Sequence, residues 1–372
     1  MEANDDVNTP AFDESDAPPG TTSDSPSRLR VDNAGELIAA LPAMLGFLPT
    51  RSLVVPLLST ESTPDATESI QAVMRFDIDP VTEPAGTRHL INMLDAVCLR
   101  EGFTSTMMII VDDRPTASKT ADELLRHLTQ AGIEPSHAWW VEHICAGAEY
   151  QDLLSFEHGR VDDPRTSMVA CAHVLDGHQI HGSRAELTDL LTQNPELTDQ
   201  VRAHLDDTDA RYRHNLATAT AANRAIAYRR DMVEWVFIQI STVSETPATA
   251  QDLATVAVLL RDQVVRDIMY GLADTIYHGD AQALWRQVAS VTEGTDRAQA
   301  ATLFGYSAYH HNNTVVAGIA IATALEADPD LMIANLLDLA MQECLRPDRI
   351  RMMAECGREI AANVGIDIDT TS

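Results

Sequence analysis

The sequence predicts an α/β N-terminal domain, with a mostly parallel or mixed sheet and flanking helices, followed by an all-α domain carrying one tetratricopeptide-like hairpin. Three observations predict it. Between Leu53 and Ile144, strand-like apolar runs alternate with stretches of helical spacing. Beyond Asn194-Pro195 nearly every apolar residue recurs at helical spacing. The window 298–331 carries the small, bulky, small and helix-stopping pattern of a paired-helix repeat. The expected divisions are a disordered acidic tail at 1–28, the α/β domain at 29–194, the helical domain at 195–365 and a disordered end at 366–372.

The tail is rich in Asp, Ser, Thr and Pro, too polar to offset the entropy of ordering it. Asn33 then caps a helix whose third residue is Glu36, with Leu37, Ile38 and Leu41 on one face. Gly46 supplies its left-handed stop, and Pro49 turns the chain into a strand at Leu53, Val54 and Val55. Pro56 belongs at a sheet edge or a bulge, because proline cannot donate to the ladder. Met74, Phe76 and Ile78 alternate with Arg75, Asp77 and Asp79 as a half-buried strand. Leu90, Leu94, Val97 and Cys98 follow at helical spacing, and Met107 to Val111 is an apolar run suited to a strand covered on both faces. Ala121, Leu124, Leu125 and Leu128 mark the next helix, with Gly132 as its stop, and Ala138 to Ile144 the next strand. The alternation implies right-handed crossovers and a largely parallel sheet with an antiparallel pair near its start.

From Ser155 to Ser183 the sequence predicts short strands with turns at Gly159 and Gly177, and Arg184 to Leu191 a helix. Asn194-Pro195 is a cap and first-turn pair that opens the helical domain. Thr249 and Asp252 form a second capping pair before Leu253, Val256, Ala257, Leu260, Val264 and Ile268, read as one face of one helix. In the repeat-like window, Gly305, Ala317, Ile321, Ala324 and Pro329 sit where two helices pack closely. Nothing after residue 331 repeats the pattern, and solenoids need about three units, so a hairpin within a bundle is expected.

Several of these residues also carry a resemblance. Leu41-Pro42, Leu45-Gly46-Phe47, Pro49 and Ser52-Leu53-Val54, then Trp139-Trp140, Ser183-Arg184, Val265-Arg266-Asp267 and the stretch from Ala298 to Pro329, resemble the actinobacterial family catalogued as domain of unknown function 4192. The resemblance implies relatives from about Val31 to the C-terminal helices and brings no reaction, cofactor or partner with it. Two positions depart from it: Pro56 interrupts the apolar strand, and Cys145 stands alone after the tryptophan pair.

Composition narrows the function classes. Of 372 residues, 45% are hydrophobic and 22% charged, as in globular proteins. The net charge of -30 opposes a nucleic-acid or anionic-membrane partner, because phosphate binding needs a basic footprint. Most of the acidity lies outside the tail, where it keeps the protein soluble or meets a basic partner. Five scattered cysteines without a CxxC pair, and an N-terminus that is acidic instead of basic and then apolar, predict a cytoplasmic, reduced protein.

The candidate site residues lie on strands or beside their ends. Asp112 and Asp113, beside Arg114, follow the strand placed centrally, where open parallel sheets bind ligands and where two carboxylates can hold Mg²⁺ or act as base. Arg51, Ser52, Trp140 and Glu142 are the ligand-binding candidates, although no GxSxG elbow surrounds Ser52. No phosphate loop follows any strand, and Cys171, His173, His178 and His181 lack standard zinc spacing, so no metal site is assigned and the cofactor is left unknown. Two functions remain open. One is a binding protein using the helical domain or the cleft between domains; the other is a metal-assisted hydrolase or phosphate-transfer enzyme using the strand-end carboxylates.

Overall fold

The computed structural model describes residues 33–60, 68–175, 180–343, 345 and 349–369. The tail expected at 1–28, residues 370–372, Gly177 and His178 lie outside these. The first helix, α1 (Ala34–Leu45), starts as its cap predicts: the Asn33 side chain accepts from the Glu36 amide, and Gly46 ends the helix at φ 77°. Strands β1 (Ser52–Thr60) and β2 (Glu68–Asp77) lead into the short α2 (Ile78–Thr82) and α3 (Pro84–Glu101). Ile78, expected in the strand, opens that short helix. Then come β3 (Ser105–Val111), α4 (Ala117–Gln130), β4 (His137–Val141), β5 (Glu149–Asp152) and β6 (His158–Arg160).

The six strands form one mixed sheet in the order β2-β1-β3-β4-β5-β6. Only β3 and β4 run parallel; β1 lies antiparallel to both β2 and β3, and β5 and β6 continue antiparallel from β4. The sheet is therefore less parallel than the alternation suggests, since one strand-helix-strand crossover, through α4, joins neighbours. Pro56 lies in an interior strand, opposite Val73. The register of that pair slips immediately afterwards, between Leu57 and Leu58, and leaves Gln71 as the extra residue of a bulge.

Period-two alternation sorts the central strands onto two cores. Val54, Ile109, Val111, Trp139 and Val141 face a cluster shared with α1 and the C-terminal helices. Leu53, Val55, Leu57, Met108, Ile110 and Ala138 face a second cluster built with α3 and α4. The adjacent tryptophans divide as their alternation requires: Trp139 belongs to the first cluster and Trp140 packs on the second.

Three local expectations are overturned. Residues 168–175 are a helix, α5 (Met168–Leu175), where strands were expected: the run is apolar without alternation, and the Ser167 hydroxyl accepts from the Ala170 amide at its start. Gly159 lies inside β6 instead of in a turn. The helix read from Leu253 through Ile268 is two, α9 (Ala250–Leu259) and α10 (Gln263–Tyr270). Asp262 makes the break by accepting from the Val264 and Val265 amides as a new N-cap. The capping box of Thr249 and Asp252 is present as read.

The remaining helices are α6 (Arg184–Asp189), α7 (Pro195–Ala221), α8 (Ala225–Thr242), α11 (His278–Val291), α12 (Gly294–His310), α13 (Thr314–Ala327), α14 (Met332–Gln342) and α15 (Met352–Asn363). In the hairpin of α12 and α13, Gly305 lies against Ala320 and Ile321, where an added Cβ would come within 2.9 Å of the Ile321 Cδ1. The first apolar cluster includes residues on both sides of residue 195 and reaches Ile366, which is buried. Among the described residues no helix is long and apolar enough to cross a membrane.

Candidate functional site

Strand directions bring the sequence-predicted residues to one end of the sheet. Antiparallel pairing sets Ser52 at the start of β1 between Asp77 at the end of β2 and Val111 at the end of β3. Parallel pairing sets Val141 of β4 beside Val111. Arg51 and Ser52, residues 77–79, residues 112–114 and residues 140–142 therefore converge.

Asp112 is fully buried. Arg114 folds back over it: Nε lies 2.9 and 3.0 Å from the two carboxylate oxygens, Nη2 2.7 Å from Oδ2, and the Arg114 amide 3.2 Å from Oδ1. The other terminal nitrogen of Arg114 donates to Asp79 at 2.7 Å, and Arg51 grips the second oxygen of Asp79. The result is a chain of alternating charge, Asp112, Arg114, Asp79, Arg51. Burial alone would push the Asp112 carboxyl up, but the hydrogen bonds and charge of Arg114, with Arg51 farther away, hold it below the ordinary carboxylate value. The Arg114 guanidinium is correspondingly held in its charged form by its bond to Asp112. Trp140 closes the other side, its indole Nε1 donating to the Asp112 carbonyl at 3.1 Å.

Ser52 is also fully buried. Its hydroxyl donates to the Thr50 carbonyl at 2.8 Å and accepts from Arg75 Nε at 2.9 Å, while Arg75 pairs with Asp77 at 2.6 Å and lies over the Phe47 ring. That hydroxyl's one proton is thus already used. Asp113 is exposed, so the adjacent carboxylates do not act as a pair. Glu142 is exposed beside His143, at 3.4 Å, and among the described residues no hydrogen bond or ion pair ties it to the network. Sequence reasoning missed Asp79 as the bridge. The signal was antiparallel pairing of β1 with β2, which places the end of β2 against Arg51.

Residues 171–173 lie in a helix, α5, and not in the strand expected there, and Cys171 is exposed. His181 instead bridges to Phe47 and lies 3.9 Å from Glu186. Among the described residues no group of three or more His, Cys, Asp or Glu is placed to hold a metal.

Two further features lie in the helical region. A shallow groove of about 370 Å³ runs between the start of α7, the loop after α8 and the side of α11, lined by Leu197, Val243, Leu253 and Val291 with Gln287 and Ser290. On α14, Ala334, Leu337 and Ala340 are buried, yet Met332, Leu336 and Leu339 are exposed, at 71%, 59% and 53%. Spacings of four and three place these three on one outward ridge. The sequence signal was an excess of large apolar residues over what one buried face of α14 needs.

The profile of the family described as Domain of unknown function (DUF4192) matches residues 35–348. No curated protein and no solved structure matches the chain. The matched stretch includes the whole strand-end network and all of α14, and stops before α15. The chain belongs to the DUF4192 family.

Proposed function

We propose that this member of the DUF4192 family is a cytoplasmic binding protein that works through its C-terminal helices instead of by turnover. The observation that carries the reading is the apolar ridge of Met332, Leu336 and Leu339 on α14. Scattered surface leucines are ordinary, but three large side chains aligned on one helix face, with the opposite face already buried, are what a helical docking site presents.

Two of the strand-end carboxylates, Asp112 and Asp79, support the same reading from the other direction. A carboxylate that is to bind Mg²⁺ or take a proton needs a lone pair that the ion or the proton donor can reach. Asp112 is buried with both oxygens committed to Arg114, and Asp79 is held between two arginines. Four unpaired cysteines among the described residues, three of them exposed, fit a reducing compartment.

Thermal melting with Mg²⁺, Mn²⁺, Zn²⁺, ATP and GTP tests the proposal, because a ligand of the folded state must raise the midpoint. No ligand-induced shift is expected. A shift seen in the native chain and lost in Asp112→Asn, Asp113→Asn, each compared with its own ligand-free midpoint, would overturn the proposal in favour of a metal-assisted hydrolase or phosphate-transfer enzyme.

A further inference from the structure

The charge around the α14 ridge selects its occupant. Between Arg297 and Arg346 the sequence contains no Lys or Arg, while Glu326, Asp328, Asp330, Asp338 and Glu343 fall in the same stretch. Asp330 is exposed just before α14 begins, and Glu343 is exposed just past its end. The last turn of α14 holds no basic residue, so Glu343 adds to the negative end of the helix dipole. Among the described residues Arg100 of α3 reaches it, with Nη1 3.3 Å from Glu343. Leu99, the residue before Arg100 on α3, is 85% exposed.

We infer that the ridge docks an amphipathic helix with basic flanks, an inference that rests on the binding reading above. Met332 to Leu339 spans about 10 Å at ~1.5 Å per residue, the length of two turns, so the partner contributes apolar side chains at matching three- and four-residue spacings. Its Lys or Arg residues lie beside Asp330, Asp338 and Glu343. Charge also discriminates between occupants. A second copy would set the same carboxylates against each other across a two-fold axis, and an anionic lipid surface would be repelled, whereas a basic helix lowers the potential that this stretch builds up.

The test is a fluorescence anisotropy titration of the full chain with a labelled 18-residue Leu/Lys peptide of helical periodicity. Its controls are a peptide of the same composition with the periodicity scrambled, and one with Glu replacing Lys. Sedimentation equilibrium of the chain alone runs beside it. Expected is binding to the periodic Leu/Lys peptide that weakens at least tenfold in Leu336→Ser, Leu339→Ser, which leaves every charge in place, and at least threefold in Asp330→Asn, Asp338→Asn. These side chains are exposed or half-exposed, so circular dichroism and the melting midpoint of both variants should match the native chain. Binding of the Leu/Glu peptide that depends on the ridge would overturn the basic partner while keeping the docking site. A dimer dissolved by the leucine substitutions would replace the partner with a second copy. Peptide binding indifferent to Leu336 and Leu339, with no dimer, would remove the ridge as an interface and the binding reading with it.

Discussion

Asp112 and Arg114, two residues apart at the end of β3, form a closed ion pair in which a wholly buried carboxylate is held by one guanidinium and by the backbone amide of the same arginine. Replacing the buried carboxylate by an amide breaks the charge-assisted bonds that Arg114 makes to it, turns an amide nitrogen towards the guanidinium and leaves Asp79 as that guanidinium's one partner in the network. Asp112→Asn should therefore lower unfolding free energy by about 2–4 kcal/mol in urea titration. Arg51→Gly is the contrast. It removes an exposed ion pair, usually worth less than ~1 kcal/mol, and relieves a non-glycine residue held at φ 45°. Its net change should stay within about 1 kcal/mol. Equal losses in the two variants would show that the network acts as one unit.

The same pair sets the acid limb of stability. Because the folded Asp112 carboxyl lies below its unfolded value, the unfolded chain takes up the proton first as pH falls. The contribution is present in full above the unfolded value of about 4 and is lost as pH drops through the folded one. Urea midpoints of the native chain and Asp112→Asn, followed from pH 6 to pH 3, should converge at the acid end. Parallel curves would exclude Asp112 as the group responsible.

His310, at the end of α12, supplies a separate limb at higher pH. Its ring is buried, Nδ1 has no hydrogen-bond partner among the described residues, and Nε2 lies 3.4 Å from Asp274, which also binds Arg358 at 2.8 Å. Burial holds the imidazole below its ordinary value; Asp274 pulls it upward, while Arg351 and Arg358 oppose that pull. Tyr306 and His311 pack beside it. The folded chain keeps His310 neutral where the unfolded chain protonates it, so stability falls as pH drops below about 6.5, at up to ~1.4 kcal/mol per pH unit. In His310→Gln the slope of unfolding free energy between pH 6.5 and 5 should flatten by up to one proton. An unchanged slope would mean that His310 titrates alike in both states.

What could be read from the chain was local, and what could not was set by distant partners. Asn33 with Glu36, and Thr249 with Asp252, declare their helices because a cap is satisfied within three residues. The apolar run of β3 declares a covered strand for the same reason. Asp262 falls inside the stretch read as one helix; its Oδ2 takes the Tyr212 hydroxyl and the Arg229 guanidinium, 50 and 33 residues away, and those partners stabilise the break that its Oδ1 caps. At the candidate site Asp112 and Trp140 could be placed, since both sit at ends of strands with clear patterns. Asp79 could not, because its role comes from Arg51 and Arg114, 28 and 35 residues away. Strand direction was hidden likewise: alternating strands and helices do not reveal that β1 runs against β3.

The packing of α15 offers a test that starts from a backbone contact. Gly357 lies against Gly271, and a Cβ at Gly357 would come within 2.6 Å of the Gly271 nitrogen and 2.7 Å of the Asp267 carbonyl oxygen. Both are backbone atoms of the α10 end, so neither can swing aside as a side-chain tip would. Alanine normally favours a helix over glycine by about 1 kcal/mol, which by itself predicts a more stable Gly357→Ala. The close approach reverses that sign: overpacking against rigid backbone costs about 1–3 kcal/mol or more, and the variant should melt below the native chain. Arg358, which follows on α15, should lose its hold on Asp274 as the helices separate. Gly357→Ala and Arg358→Ala would then combine to less than the sum of their separate losses in a double-mutant cycle. Simple additivity, or stabilisation by Gly357→Ala, would show that α15 does not sit this close to Gly271.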